Sequence, residues 1–229
     1  TFVGLRSYGL YLWHWPVFVF LTAEETGIDG NALLAVRFAL TFALAELART
    51  ELATTQSWWL YGAFLAAFAI KIPLVPFHTW LPDAHTEAPV AGSVDLAGLL
   101  LKTGVFGLMR IGFTLFPEPA RQSLPLLAGL ALLGLFHASW AAYRQNDCKR
   151  LVAYSSVAHL GLVILGLAAW NPTALQGSML LMLSHGLTTG ALFVMIALID
   201  ERAGTRRLDA LGGVWARSPV FGGFFLFFA

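Results

Sequence analysis

Residues 68–110 read FAIKIPLVPFHTWLPDAHTEAPVAGSVDLAGLLLKTGVFGLMR. The run sets Lys71 and Lys102 in sequence that otherwise has the apolar composition of membrane-spanning helix. Between them, Pro73, Pro76, Pro82 and Pro89 each remove a backbone donor, so a broken helix is expected, beginning near Pro73. Inside a membrane the freed carbonyls must be satisfied by neighbouring helices or by a wet cavity. A charge near the bilayer centre costs roughly 2.5–3.5 kcal/mol on insertion scales, so lysines at that depth point to function.

The rest of the chain supports that setting. Of 229 residues, 58% are hydrophobic and 12% charged. Soluble domains carry about 25% charged residues, so the balance indicates a polytopic membrane protein. A net charge of +1 and the lack of any basic run argue against a nucleic-acid partner. One cysteine, Cys148, excludes an internal disulfide and an all-cysteine metal cluster. No secretory signal pattern opens the sequence, and the apolar ending FGGFFLFFA reads as a cut within a helix, so a fragment is expected.

Moving outward, residues 8–23 form an apolar segment rich in Trp and Tyr, and residues 31–48 a second helix. A third runs from Trp58 to about Ile72 and a fourth from Val90 to Leu115, with Lys102 near its middle. PEPARQ reads as a turn before a fifth helix at 123–142. A sixth is expected from Leu151 to Ala169, a seventh at 177–199, and the start of an eighth near Pro219. These spans suit about 30 Å of hydrocarbon. The loops at 143–150 and 200–217 hold Arg144, Lys149, Arg150, Arg202, Arg206, Arg207 and Arg217, whereas 171–176 holds no basic residue. The positive-inside rule makes the basic loops cytoplasmic, and alternation puts the 78–89 connection on their side.

Each candidate has a plain alternative. Lys71 ends an apolar run and could snorkel to headgroups; beside a break it could instead gain and lose a proton. Lys102 is too deep for easy snorkelling. Gly98, Thr103, Gly104 and Gly107 around it suit a close helix seam, and Asp95 offers a structural ion pair at i−7. His159 and His185 lie in successive apolar helices near Ser155, Ser156, Ser184, Thr188 and Thr189. A lone buried histidine is usually a satisfied core residue, but two beside two lysines suit a proton relay, since histidine titrates near neutrality. His78, His85 and Glu87 raise a metal alternative; they lack the helical i, i+4 pairing and a nearby cysteine, so no metal is expected. No phosphate loop, nucleophile elbow, haem or iron–sulfur ligand set is found.

Together, KIPLVPFHTWLPDAHTEAPVAGSV and LAGLLLKTGVFGLMR, followed by QNDCKRLVAYSSVAHLGLV, LSHGLTTGALFVMIALIDERAGTR and LGGVWARSP, resemble a known family. It is that of the proton-translocating, antiporter-like membrane subunits of respiratory complex I, in the branch of bacterial subunit M and mitochondrial subunit 4. The resemblance covers about residues 55–229. It implies an all-α antiporter-like helix bundle with a discontinuous helix, and proton translocation coupled to NADH:quinone oxidoreduction. Lys71 would be the central protonatable lysine, Lys102 the link between half-channels, and His159 and His185 the connecting histidines. Asp147, Lys149 and Arg150 match a polar motif at a cytoplasmic helix end. The resemblance implies no cofactor in this chain, since NADH, flavin, iron–sulfur clusters and quinone belong to other subunits. It implies other membrane-arm subunits as partners in a bacterial inner membrane.

Two features depart from the family. No Trp–Glu motif precedes Lys71 to supply its partner carboxylate, and Glu46 lies in the dissimilar context ALAELART. Residues 1–50, with LRSYGLYLWHWPVFVFL, resemble late helices of acyltransferase family 3. They are read as a separate unit from 55–229 and leave a membrane acyltransferase as an alternative. The nearer alternatives are a paralogous subunit of a membrane-bound hydrogenase or multisubunit cation/proton antiporter, and a scaffold whose lysines only pair structurally.

Overall fold

A computed structural model describes residues 30–47 and 54–229, so the apolar segment expected at 8–23 lies outside the described residues. The described residues are helical apart from short connections, with one isolated β-bridge, Asp147 to Arg207. The helices are α1 (Gly30–Leu47), α2 (Thr54–Lys71), α3 (Trp80–Glu87), α4 (Val90–Leu115) and α5 (Pro117–Tyr143). They continue with α6 (Cys148–Ala168), α7 (Pro172–Ala203), α8 (Val214–Arg217) and α9 (Pro219–Phe228). Among the described residues, α4 to α7 are each long and apolar enough to cross a membrane.

Several expectations are corrected at helix ends. PEPARQ is the start of α5 rather than a turn. Pro117 and Pro119 fall in the first helical turn, where backbone N–H groups have no helical acceptor and proline loses nothing. Helix α7 begins at Pro172, ahead of the expected 177, because the Asn171 side chain accepts from the Ala174 N–H at 2.9 Å. It ends at Ala203, before Gly204, whose φ of 65° suits glycine. Helix α6 begins at Cys148, capped by Asp147, whose carboxylate accepts from the backbone of Lys149 and Arg150 at 2.8 and 3.1 Å.

One compact unit combines the described residues up to Leu65 with Gly107–Arg121. Its core is Tyr61, Phe116 and Ala120, with Phe64, Leu65, Phe113 and Leu115 packed around them. The Tyr61 and Phe116 rings meet edge to face at 6.2 Å. The second unit holds Ala66–Phe106 and Gln122–Ala229. There α6 packs against α7 and α3, and α7 also packs against the first half of α4. Ala97, Val152, Ala153, Leu192, Phe193 and Ile196 form its core, held by close packing of the helices rather than by exclusion of water. A Cβ at Gly161 would stand 2.8 Å from the Ala131 carbonyl, so glycine is what lets α6 lie on the α5 backbone. Outward faces such as Leu132, Leu133, Phe136 and Trp140 of α5 are apolar and exposed, as a lipid or protein neighbour requires.

The expected break is present. Helix α2 stops at Lys71, residues 72–79 are turns with a cis Val75–Pro76 bond, and α3 restarts at Trp80. Pro73 cannot donate to Ala69, whose carbonyl accepts instead from Leu74 N–H at 2.9 Å. The Trp80 indole donates back across the break to the Ile70 carbonyl at 3.0 Å. Pro89 likewise cannot serve the His85 carbonyl, which accepts from Ser93 Oγ at 3.2 Å. The freed carbonyls are thus met by protein donors, as burial demands.

Candidate functional site

Lys102 lies on α4 immediately after a π-helical turn, Leu96–Leu100. A second π turn follows at Leu108–Gly112, so the uninterrupted helix read from the sequence is corrected to a continuous helix with two widened turns. Such turns recur at functional sites because they redirect side chains without ending the helix. Here the Lys102 ammonium donates to the Ala97 carbonyl and lies 2.8 Å from His185 Nδ1. No ion pair joins Lys102 to Asp95 among the described residues, so the i−7 pairing is not formed. The lysine folds back along its own helix instead.

The approach of α7 depends on a small residue. A Cβ at Gly186 would meet the Gly98 carbonyl at 3.0 Å and Lys102 Cε at 3.6 Å. Only glycine beside His185 brings the two backbones close enough for the lysine–imidazole contact. His185 is buried, and its ring stands 5.1 Å from that of His159, centroid to centroid. His159 is exposed, with Nδ1 2.8 Å from the Ser155 carbonyl. Lys102, His185 and His159 therefore form one contiguous line across three helices. A cleft of about 960 Å³ flanks it, lined by Asp95, Leu99, Lys102, Met179 and Met182 among others.

Lys71 is placed differently. It ends α2 half-buried, and its stem packs on α4, where a Cβ at Gly104 would stand 3.1 Å from Lys71 Cγ. Its ammonium has no hydrogen bond or ion pair among the described residues, and no carboxylate meets it there. It thus reaches the helix that bears Lys102 without touching the lysine–histidine line.

A third histidine lies near the line. His85 on α3 is fully buried, stacked on Phe193 at 4.6 Å, with both ring nitrogens lacking a partner. It lies within electrostatic range of both Lys149 and Lys102, and His185 lies within range of His85. His85 does not assemble with His78 and Glu87: its neighbour is Phe193, whereas His78 faces His137 of α5. His137 carried no sequence signal beyond being a histidine in an apolar helix, the same signal that marks His159 and His185.

The basic segments gather at one end of this unit. Lys149, 8% exposed, donates its ammonium to the Ala88 carbonyl at 2.5 Å, just where α3 gives way to α4. Arg150 pairs with Asp83 of α3 at 2.9 Å. Asp147 accepts from Arg206 at 2.6 Å, and Cys148 N–H donates to the Arg206 carbonyl at 3.0 Å. Farther out, hydrogen bonds from Arg207 and Asn146 hold the Asp209 carboxyl below its usual range. The loops at 143–150 and 200–217 and the 78–89 connection thus share one end, as the charge pattern required.

The profile of the NADH:quinone oxidoreductase/Mrp antiporter transmembrane family matches residues 32–229. NADH-quinone oxidoreductase subunit M of Pseudomonas aeruginosa is 45% identical over 211 residues, covering 92% of this chain and 39% of that protein. The chain therefore spans well under half the length of this curated relative. Among solved structures, respiratory complex I from Thermus thermophilus with bound NADH superposes with a TM-score of 0.77 at 30% identity, over 98% of this chain and 47% of the matched one. The Mrp complex from Dietzia sp. gives 0.67 at 23% identity over 98% of this chain and 39% of that one, a likeness of fold. The family match begins inside the stretch 1–50. The chain belongs to the NADH:quinone oxidoreductase/Mrp antiporter transmembrane family.

Proposed function

We propose that this chain is part of a membrane-arm subunit that translocates protons as other subunits oxidise NADH and reduce quinone. The observation that carries the reading is the Lys102 ammonium 2.8 Å from His185 Nδ1, with His159 next in line. A cation held between a carbonyl and an imidazole on separate helices is poised to exchange a proton when nearby charge changes. Lys102, His185 and His159 relay the proton laterally. Lys71, beside the break, takes it up or releases it. The subunit is a non-redox part of a translocating enzyme, with no cofactor of its own. Its partners are other membrane-arm subunits and lipid, in a bacterial inner membrane with the basic loops cytoplasmic.

The antiporter alternative shares the fold, as the likeness to the Mrp complex shows. The relative at 45% identity, named for NADH-quinone oxidoreductase, favours the first reading. The acyltransferase alternative rests on residues 1–50, of which 32–50 fall within the family match. The test is Lys102→Ala in the assembled complex, in sealed vesicles, read as protons moved per NADH oxidised. A loss of about tenfold or more is expected, equivalent to roughly 1.4 kcal/mol or more on the transfer barrier. Unchanged stoichiometry sinks the relay and leaves the structural reading of Lys102.

A further inference from the structure

At the basic end of the second unit, a cleft of about 270 Å³ opens between the last turns of α7, the short helix α8 and the start of α9. Arg202 of α7 and Arg217 of α8 both line it, over a floor that includes Leu198, Ile199 and Phe221. Among the described residues neither guanidinium has a hydrogen bond or an ion pair, and no carboxylate lines the cleft. The acids nearest in sequence are turned elsewhere. Asp200 and Glu201 line a separate cleft with Lys149 and Arg206, and Asp209 is paired with Arg207. Two guanidiniums left without a counter-charge above an apolar floor fit an anion that carries an apolar body.

The depth of the cleft names that body. Helix α7 has 32 residues. At 1.5 Å per residue it is about 48 Å long, against about 30 Å of hydrocarbon, so part of it stands outside the apolar layer. Its charged end, Asp200 to Arg202, is the end that meets headgroups. Trp215 of α8, 58% exposed, lies on α9 there: a Cβ at Gly222 would stand 2.7 Å from Trp215 Cε3. Exposed tryptophan is the residue of the membrane–water interface. Ser218, at the mouth of the cleft, does not cap α9 through its side chain, so the helix start keeps N–H groups for an outside acceptor.

We propose that this cleft holds the phosphate of an anionic phospholipid from the leaflet that the basic loops face, with Arg202 and Arg217 on the phosphate and the lipid chains against Leu198, Ile199 and Phe221. A phosphodiester offers acceptors that suit the guanidinium fork, and basic recesses at this membrane face select anionic headgroups. The lipid would fasten the start of α9 to the end of α7. The inference rests on the membrane setting of the chain and not on the proton reading.

The test is photolabelling of the assembled complex in phosphatidylcholine vesicles doped with phosphatidylglycerol that carries a diazirine next to its glycerol, mapped by mass spectrometry. Label should fall on residues 211–221 and be displaced by plain phosphatidylglycerol but not by inorganic phosphate. Arg202→Gln with Arg217→Gln should cut that labelling roughly tenfold or more. Arg144→Gln removes an exposed charge outside the cleft and should leave it unchanged. Equal labelling by a phosphatidylcholine probe, or labelling that survives loss of both arginines, overturns the proposal. So does an equal fall with Arg144→Gln, the mark of attraction by surface charge at large, or displacement by inorganic phosphate, the mark of a free-anion site. Should the double variant block assembly, the two probes compared on the unaltered complex decide. Labelling is read whether or not the complex pumps, so failure of the site and failure of the proton reading are separate results.

Discussion

Lys102 and Lys71 solve the same problem, a cation among apolar helices, in opposite ways. Lys102 sits within a continuous helix, and every nearby feature serves its ammonium: a π turn before it, the Ala97 carbonyl, His185 from α7, and Gly186 to bring α7 close. Lys71 sits at a helix end, and nearby donors serve the broken backbone instead, through Leu74 and Trp80. Its ammonium is left without a partner among the described residues. A lysine on an intact helix needs its contacts built by neighbours. At a break, discontinuity takes their place.

The widest gap between the two lysines should appear on replacement by arginine. The planar guanidinium cannot reproduce a point contact to a carbonyl and one imidazole nitrogen. Lys102→Arg should lose most proton transfer, nearly as Lys102→Ala does, whereas Lys71→Arg should keep a larger share. Equal losses, measured as protons per NADH, would erase the distinction. Next in size is Gly186→Ala, which overpacks against Gly98 at about 1–3 kcal/mol. It should lower both thermal stability of the complex and transport. If stability falls while transport holds, the Lys102–His185 contact is not the working geometry.

Smaller again is Lys149→Met, which leaves the Ala88 carbonyl without its donor, a loss of about 1–3 kcal/mol seen as a lower unfolding temperature. A neutral result would detach the α3–α4 junction from the basic end. Asp83→Asn comes last. The Asp83–Arg150 pair has side chains 65% and 39% exposed, and such pairs contribute about 0–1 kcal/mol, so the shift should be near zero and vanish in high salt.

The spans and the break were legible because they rest on local chemistry: apolar length, and prolines that cannot donate. The shared end of the basic loops followed from charge alone. PEPARQ misled because proline is equally at home in a turn and in a first helical turn. The π turns left no mark, since LAGLL and LMRIG are ordinary helical sequence, and their added width is what defeats the i−7 pairing of Asp95 with Lys102. His185 beside Lys102 was expected only as part of a group; the contact is tertiary and hinges on Gly186. The meeting of His78 with His137 depends on how a turn segment lies against α5, which no spacing encodes. The early segment at 8–23 and the domain division at residue 50 lie largely outside the described residues.

The Trp80 indole, bonded to the Ile70 carbonyl, spans a gap that eight residues of turn leave in the chain. A side chain of α3 thus bonds to the last turn of α2 at 3.0 Å, so the interrupted backbone ladder is bridged by an indole rather than by a peptide N–H.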